Sequence, residues 1–172
     1  MSNGQRHVVI DVGANAIDPM LRWMQLSLTA DARHPMNFLV VLTAQEHAAA
    51  DAMAVLDEIE VSRQAMVVGR IGVVLNGAFG SFDQPGDKVA GLVALAKARG
   101  YPIIQLPFGY LNGVDRGIAI SRLRRLTWQE YQAEMAIPVA GTAERLLLKT
   151  QRFIRQALEA LREAGFAPPA AG

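Results

Sequence analysis

The residues best placed for chemistry lie near the start of the chain, in His7-Val-Val-Ile-Asp11-Val-Gly13-Ala-Asn15. An apolar run ends in an acid, then a glycine, then a polar residue. A carboxylate at the carboxyl end of a buried parallel strand stands where open α/β sheets bind ligands. Asp11 there can hold a Mg²⁺-bound water or a cofactor hydroxyl, with Gly13 and Asn15 beside it. It can equally accept from the amides of its own turn and shape that turn. Asn76-Gly77 closes a later apolar run. An Asn there offers a donor and an acceptor together, which suits the edge of a base, while Asn-Gly also suits a turn at positive φ. Pro107-Phe108-Gly109 closes a fourth run and brings its backbone to the same edge. Phe79 and Phe82 either cover a ligand or anchor their loop, and anchoring is the simpler account. Arg116, Arg122, Arg124 and Arg125 form a basic cluster that could touch phosphate or DNA. The net charge of +1 favours a solvated helix face instead.

Four strands are needed to position these groups. The first is Val8 to Asp11, whose unbroken apolar run reads as buried on both faces. A helix follows, with Asp18 as N-cap, Pro19 in its first turn, and a stripe of Ile17, Met20, Leu21, Met24 and Leu28. The second strand is Phe38 to Leu42. The helix after it spans about Gln45 to Ile59, with Ala49, Met53, Leu56 and Ile59 on one face. The third strand, Ile71 to Leu75, leads to Asn76 and a long glycine-rich turn of the kind that is usually functional. A helix from Asp87 to Arg99, closed by Gly100, precedes the fourth strand, Pro102 to Leu106. Strand–helix alternation of this kind calls for right-handed crossovers and a parallel sheet.

After Gly109 the pattern turns helical. A short helix is expected from about Arg116 to Leu126. Thr127-Trp-Gln-Glu130 is a capping box. A long helix from about Ala143 to Ala164 carries Leu146, Leu147, Ile154, Leu158 and Leu161, with Gly165 as its cap and Phe166 packing back on it. The expected fold is one three-layer α/β domain over 1–172: βα repeats in 7–109, a helical segment in 110–165, and a flexible tail in 166–172. The sheet is expected to be mostly parallel, with flanking helices and a helical C-terminus.

The composition, 51% hydrophobic and 19% charged over 172 residues, is that of a folded domain. No apolar run reaches the roughly 18 residues of a membrane span, and the first residues do not form a signal peptide. Cysteine is absent, so disulfides and thiol catalysis are excluded; a cytoplasmic location is expected. His7, His34 and His47 are scattered without metal-ligand spacing.

In this order the pieces resemble the back half of a ParA/MinD-type deviant-Walker ATPase, the group that serves plasmid partition and conjugation. His7 to Gly13 resembles the Walker B strand, and Asn37 to Thr43 the strand after it. Ile71 to Asn76 resembles the strand whose Asn contacts adenine, and Tyr101 to Pro107 the strand whose following backbone flanks the base. The resemblance covers residues 7 to about 130. It implies a Rossmann-like P-loop NTPase topology and ATP or ADP with Mg²⁺ as cofactor. It implies Asp11 as the catalytic, metal-facing acid. Gly13, Asn15, Asn76, Gly77, Pro107 and Phe108 would bind the nucleotide. The family's phosphate loop should precede Asp11 by roughly a hundred residues, and no G-x-x-x-x-G-K-[ST] occurs in this sequence. Without it, hydrolysis is absent or supplied in trans. The strand it belongs to would also leave a gap or an open edge, which invites a homodimer or a partner protein.

Val9 to Asn15 also resembles the first motif of S-adenosylmethionine-dependent methyltransferases. Ala16-Ile17 stands where that motif has a further glycine, and Thr43 stands where an acid should bind ribose, with Glu46 a late substitute. A third reading is a non-enzymatic dimerisation or interaction module.

Overall fold

The structure is a computed structural model, and it describes residues 10, 12, 16–27, 35–77, 80–106 and 117–166. In chain order the elements are α1 (Ile17–Ser27), β1 (Met36–Leu42), α2 (Glu46–Ser62), β2 (Val68–Asn76), α3 (Asp87–Ala98), β3 (Ile103–Leu106), α4 (Ile120–Leu123), α5 (Trp128–Met135) and α6 (Ala140–Glu163). The strands form a parallel sheet in the order β1-β2-β3. The expected first strand falls mainly outside the described residues.

One face of the sheet carries the main core. Phe38, Val40 and Leu42 of β1 and Ile71, Val73 and Leu75 of β2 pack there with Leu21 and Met24 of α1. Ala49, Ala52, Leu56 and Ile59 of α2 and Val89, Leu92 and Ala96 of α3 complete it. The small side chains of α2 and α3 let both helices lie close to the strands, and alanine is also the strongest helix former. Leu28, the last expected member of the α1 stripe, lies outside the described residues.

The other face is covered unevenly. Val41, Val74 and Ile104 stand in register across the three strands. Their exposures are 58%, 4% and 2%. The long helix α6 packs against β3 and leaves the β1 side bare. In β1, although the run is continuously apolar, Leu39 and Val41 face outward and are exposed.

The helical segment builds a second core. Tyr131 of α5 is fully buried among Leu123, Leu126, Ala143, Leu147 and Ile154. Gln151 of α6 donates its amide to the carbonyls of Leu123 and Leu126, each at 3.1 Å, and pins the end of α4. At Thr127 the capping box forms as expected. The Thr127 hydroxyl accepts from the Glu130 N–H, and the Glu130 carboxylate accepts from the Thr127 N–H.

Several local details differ from expectation. Asp18 is not the N-cap; it sits in the first turn of α1 and accepts from Arg22 at 3.1 Å, four residues on. The helix expected over Arg116 to Leu126 is one turn, Ile120–Leu123. Gly100 and Gly165 do take positive φ, 71° and 75°, behind α3 and α6. Phe166 leaves α6 and lies on the sheet: a Cβ at Gly72 would stand 2.7 Å from its ring. The missing side chain at Gly72 leaves room for the Phe166 ring, one of the contacts, with that of α6 on β3, between the two regions.

Candidate functional site

The carboxyl edge of the sheet is where the strand-end residues were expected to meet. β1 ends before Thr43, and β2, the central strand, ends at Asn76, which stands in register with Leu106 of β3. Asn76 is half-buried and Gly77 is buried. The loop after β2 returns over the β1–α2 turn, since a Cβ on Gly80 would lie 3.1 Å from the Ala44 methyl. Asp11, Gly13, Asn15, Pro107 and Phe108 lie outside the described residues, as do Phe79 and Arg116. Of the expected site, the structure therefore describes the Asn76–Gly77 corner.

A residue with another expected role closes part of this edge. Glu46, in the first turn of α2, accepts the Lys88 N–H at 3.2 Å across 42 residues of chain. Its carboxylate thus sits on the first turn of α3, where an anion is favoured by the unpaired amides and the helix dipole. Gly86, the α3 N-cap, has no side chain and leaves room for it. The first turn of α3 is thus occupied by a carboxylate of the chain itself. Among the described residues, no three His, Cys, Asp or Glu side chains gather as a metal site. The described part of this edge is thus the Asn76–Gly77 corner beside a carboxylate-capped α3.

The sequence reading missed Asn37. Its side-chain oxygen accepts the Arg70 N–H at 2.8 Å and bridges the irregular pairing between β1 and β2 at the amino edge. The arginine cluster is also partly resolved into local partners. Arg122 is paired with Glu134 of α5, and Arg125 Nε donates to the Ser121 carbonyl at 3.2 Å. Phe82 is half-buried against the main core, the anchoring role.

The larger cavity is elsewhere. A space of about 740 Å³ runs beside β1, lined by Ile10, Val12, Ile17, Met20, Leu39 and Val41 among others. It lies along the strand edge opposite β2. A smaller cleft of about 470 Å³ lies between α3, β3 and Phe82.

Comparison with known proteins gives no match: no protein-family model, curated protein or solved structure is similar to the chain. Among the described residues no helix is long and apolar enough to cross a membrane.

Proposed function

We propose that the chain is a ParA/MinD-like scaffold that holds an adenine nucleotide by its base and does not hydrolyse it alone. The observation that carries this reading is Asn76, half-buried at the carboxyl end of the central strand. An Asn side chain carries a donor and an acceptor together, the pair of groups that one edge of a base also presents. The Glu46 carboxylate on the first turn of α3 argues against phosphate recognition at that helix. ATP or ADP with Mg²⁺ would then bind through the base, with Asp11 as the metal-facing acid only if a partner supplied the phosphate cradle. The setting implied by the resemblance is plasmid or DNA segregation, or support of conjugation, with a homodimer or a second protein as partner.

Strand order weighs against the methyltransferase alternative. In the standard doubly wound order the first strand separates the third from the fourth. Here the third and fourth expected strands, β2 and β3, are paired directly.

Calorimetric titration of the chain with adenosine, ADP–Mg²⁺ and S-adenosylmethionine tests the reading. Adenosine and ADP should bind alike, and Asn76→Ala should weaken both about tenfold, the loss of roughly 1.4 kcal/mol. Silence from adenosine and ADP, or unchanged affinity in the variant, would overturn it. Binding of S-adenosylmethionine alone would favour the methyltransferase.

A further inference from the structure

We infer that Glu46 is a positioning residue for the Asn76–Gly77 corner, and that it acts by clamping the loop 80–86 that leaves this corner. The clamp stands on contacts within the chain; its effect on ligand affinity rests on the nucleotide reading above.

The loop is held from both sides of Gln45, the N-cap of α2. On one side is Ala44. A Cβ on Gly80 would lie 3.1 Å from its methyl group, and Gly80 has a φ of 150°, which suits glycine. The Gly80 N–H donates to the Gly77 carbonyl at 3.4 Å, so this end of the loop is tied directly to the corner. On the other side is Glu46, which accepts the Lys88 N–H at 3.2 Å. Between the two ends Phe82 packs on the main core, and the Asp83 N–H donates to the Ser81 hydroxyl at 3.1 Å.

The residue types explain why a distant acid is needed. The N-cap of α3 is Gly86, which brings no side chain to the first amides of the helix. An N-cap side chain accepts from the second or third of these amides. Lys88 carries the second, so Glu46 does from another helix what a serine or an aspartate at position 86 would do locally. Glycine at 86 makes room for it, since a Cβ there would run into the Glu46 carboxylate. The start of α3 is thereby fixed to the same turn of chain that receives Gly80. Loss of the carboxylate frees one end of a loop whose other end sits on Gly77, and groups linked through shared contacts are coupled in energy.

The test uses the full chain, with adenosine titrated by calorimetry and amide exchange followed in parallel. Glu46→Ala removes the acceptor, Glu46→Gln keeps one acceptor oxygen, and Gly86→Ala keeps the carboxylate but displaces it. Glu46→Ala and Gly86→Ala should each speed exchange at the Gly80 amide about threefold or more and weaken adenosine binding about fivefold. Glu46→Gln should stay within about twofold of the parent in both measurements. In an Asn76→Ala background, Glu46→Ala should cost adenosine binding nothing further, because its effect passes through the corner. Unchanged exchange at Gly80 in Glu46→Ala and Gly86→Ala overturns the clamp. An equal loss of affinity from Glu46→Ala with and without Asn76, or unchanged adenosine affinity in both variants, overturns the positioning role. If the parent itself does not bind adenosine, the nucleotide reading fails and exchange at Gly80 alone decides the clamp. If the circular dichroism spectrum shows Glu46→Ala unfolded, Gly86→Ala decides.

Discussion

The sheet region and the helical segment bury their cores by different means. In residues 35–106 the core residues are distant in sequence and are brought together by parallel pairing, with Phe38 beside Ile71 and Val73 beside Ile103. In residues 117–166 the core is made by neighbours, with α4 and α5 laid on one long helix. The helical core closes on itself, with Tyr131 at its centre. Among the described residues the sheet ends at β1, whose side chains Leu39 and Val41 are exposed. Charge divides the same way: the first region has five basic and seven acidic residues, the second eight and five. A region built on non-local strands is complete only when its edges are covered; one built on adjacent helices can be complete by itself.

The chain carries a natural reporter in each region, Trp23 on α1 and Trp128 on α5. The single-tryptophan variants W23F and W128F therefore report urea unfolding of one region each. The largest effect should come from Tyr131→Ala, which empties the centre of the helical core and should cost about 3–5 kcal/mol at Trp128. Leu56→Ala should cost about 2–5 kcal/mol at Trp23. If either change moves both transitions equally, the two cores form one cooperative unit and the contrast drawn above concerns construction alone.

Gly72→Ala tests the joint between the cores. Its methyl group would meet the Phe166 ring, and the displacement should cost about 1–3 kcal/mol. The two tryptophan transitions should then separate. Coincident transitions in this variant would show that the contact between α6 and β3 holds the regions together without Phe166.

A smaller effect belongs to the capping box. Thr127→Ala should lower stability at Trp128 by about 1 kcal/mol. The smallest effect is a pH dependence within the same box. The backbone and hydroxyl groups of Thr127 donate to the Glu130 carboxylate and hold its pKa below the ordinary value; burial opposes the shift and Arg122 adds to it. A carboxylate with a lowered folded pKa contributes in full above its unfolded pKa, and the contribution is lost as pH falls through the folded one. Glu130→Gln should therefore be less stable than the parent near neutral pH and approach it in acid. A difference that grows in acid would contradict the assignment.

The capping box was legible because all its partners lie within four residues, and so were the glycine caps at Gly100 and Gly165. Three strand runs and their parallel sense could also be read, because strands that alternate with helices leave few topologies. Of the site, Asn76 was legible as a strand end. Glu46 was not: its partner, the Lys88 amide, is 42 residues away, and nothing local marks a carboxylate as the cap of another helix. The bare face of β1 was hidden for a related reason. Leu39 and Val41 look like core residues in sequence, and only the path of α6, which covers β3, leaves them exposed.

The sequence by itself determined three strands, the long helices, the capping box at Thr127, the glycine turns behind α3 and α6, and the alternation that makes the sheet parallel, because those depend on nearest neighbours and on the period of apolar residues. The tertiary structure alone decided which side chains of β1 stay exposed, which carboxylate holds the start of α3, and where the two cores touch. Those outcomes depend on contacts between distant segments, and the local pattern of a strand is the same whether or not another element comes to cover it.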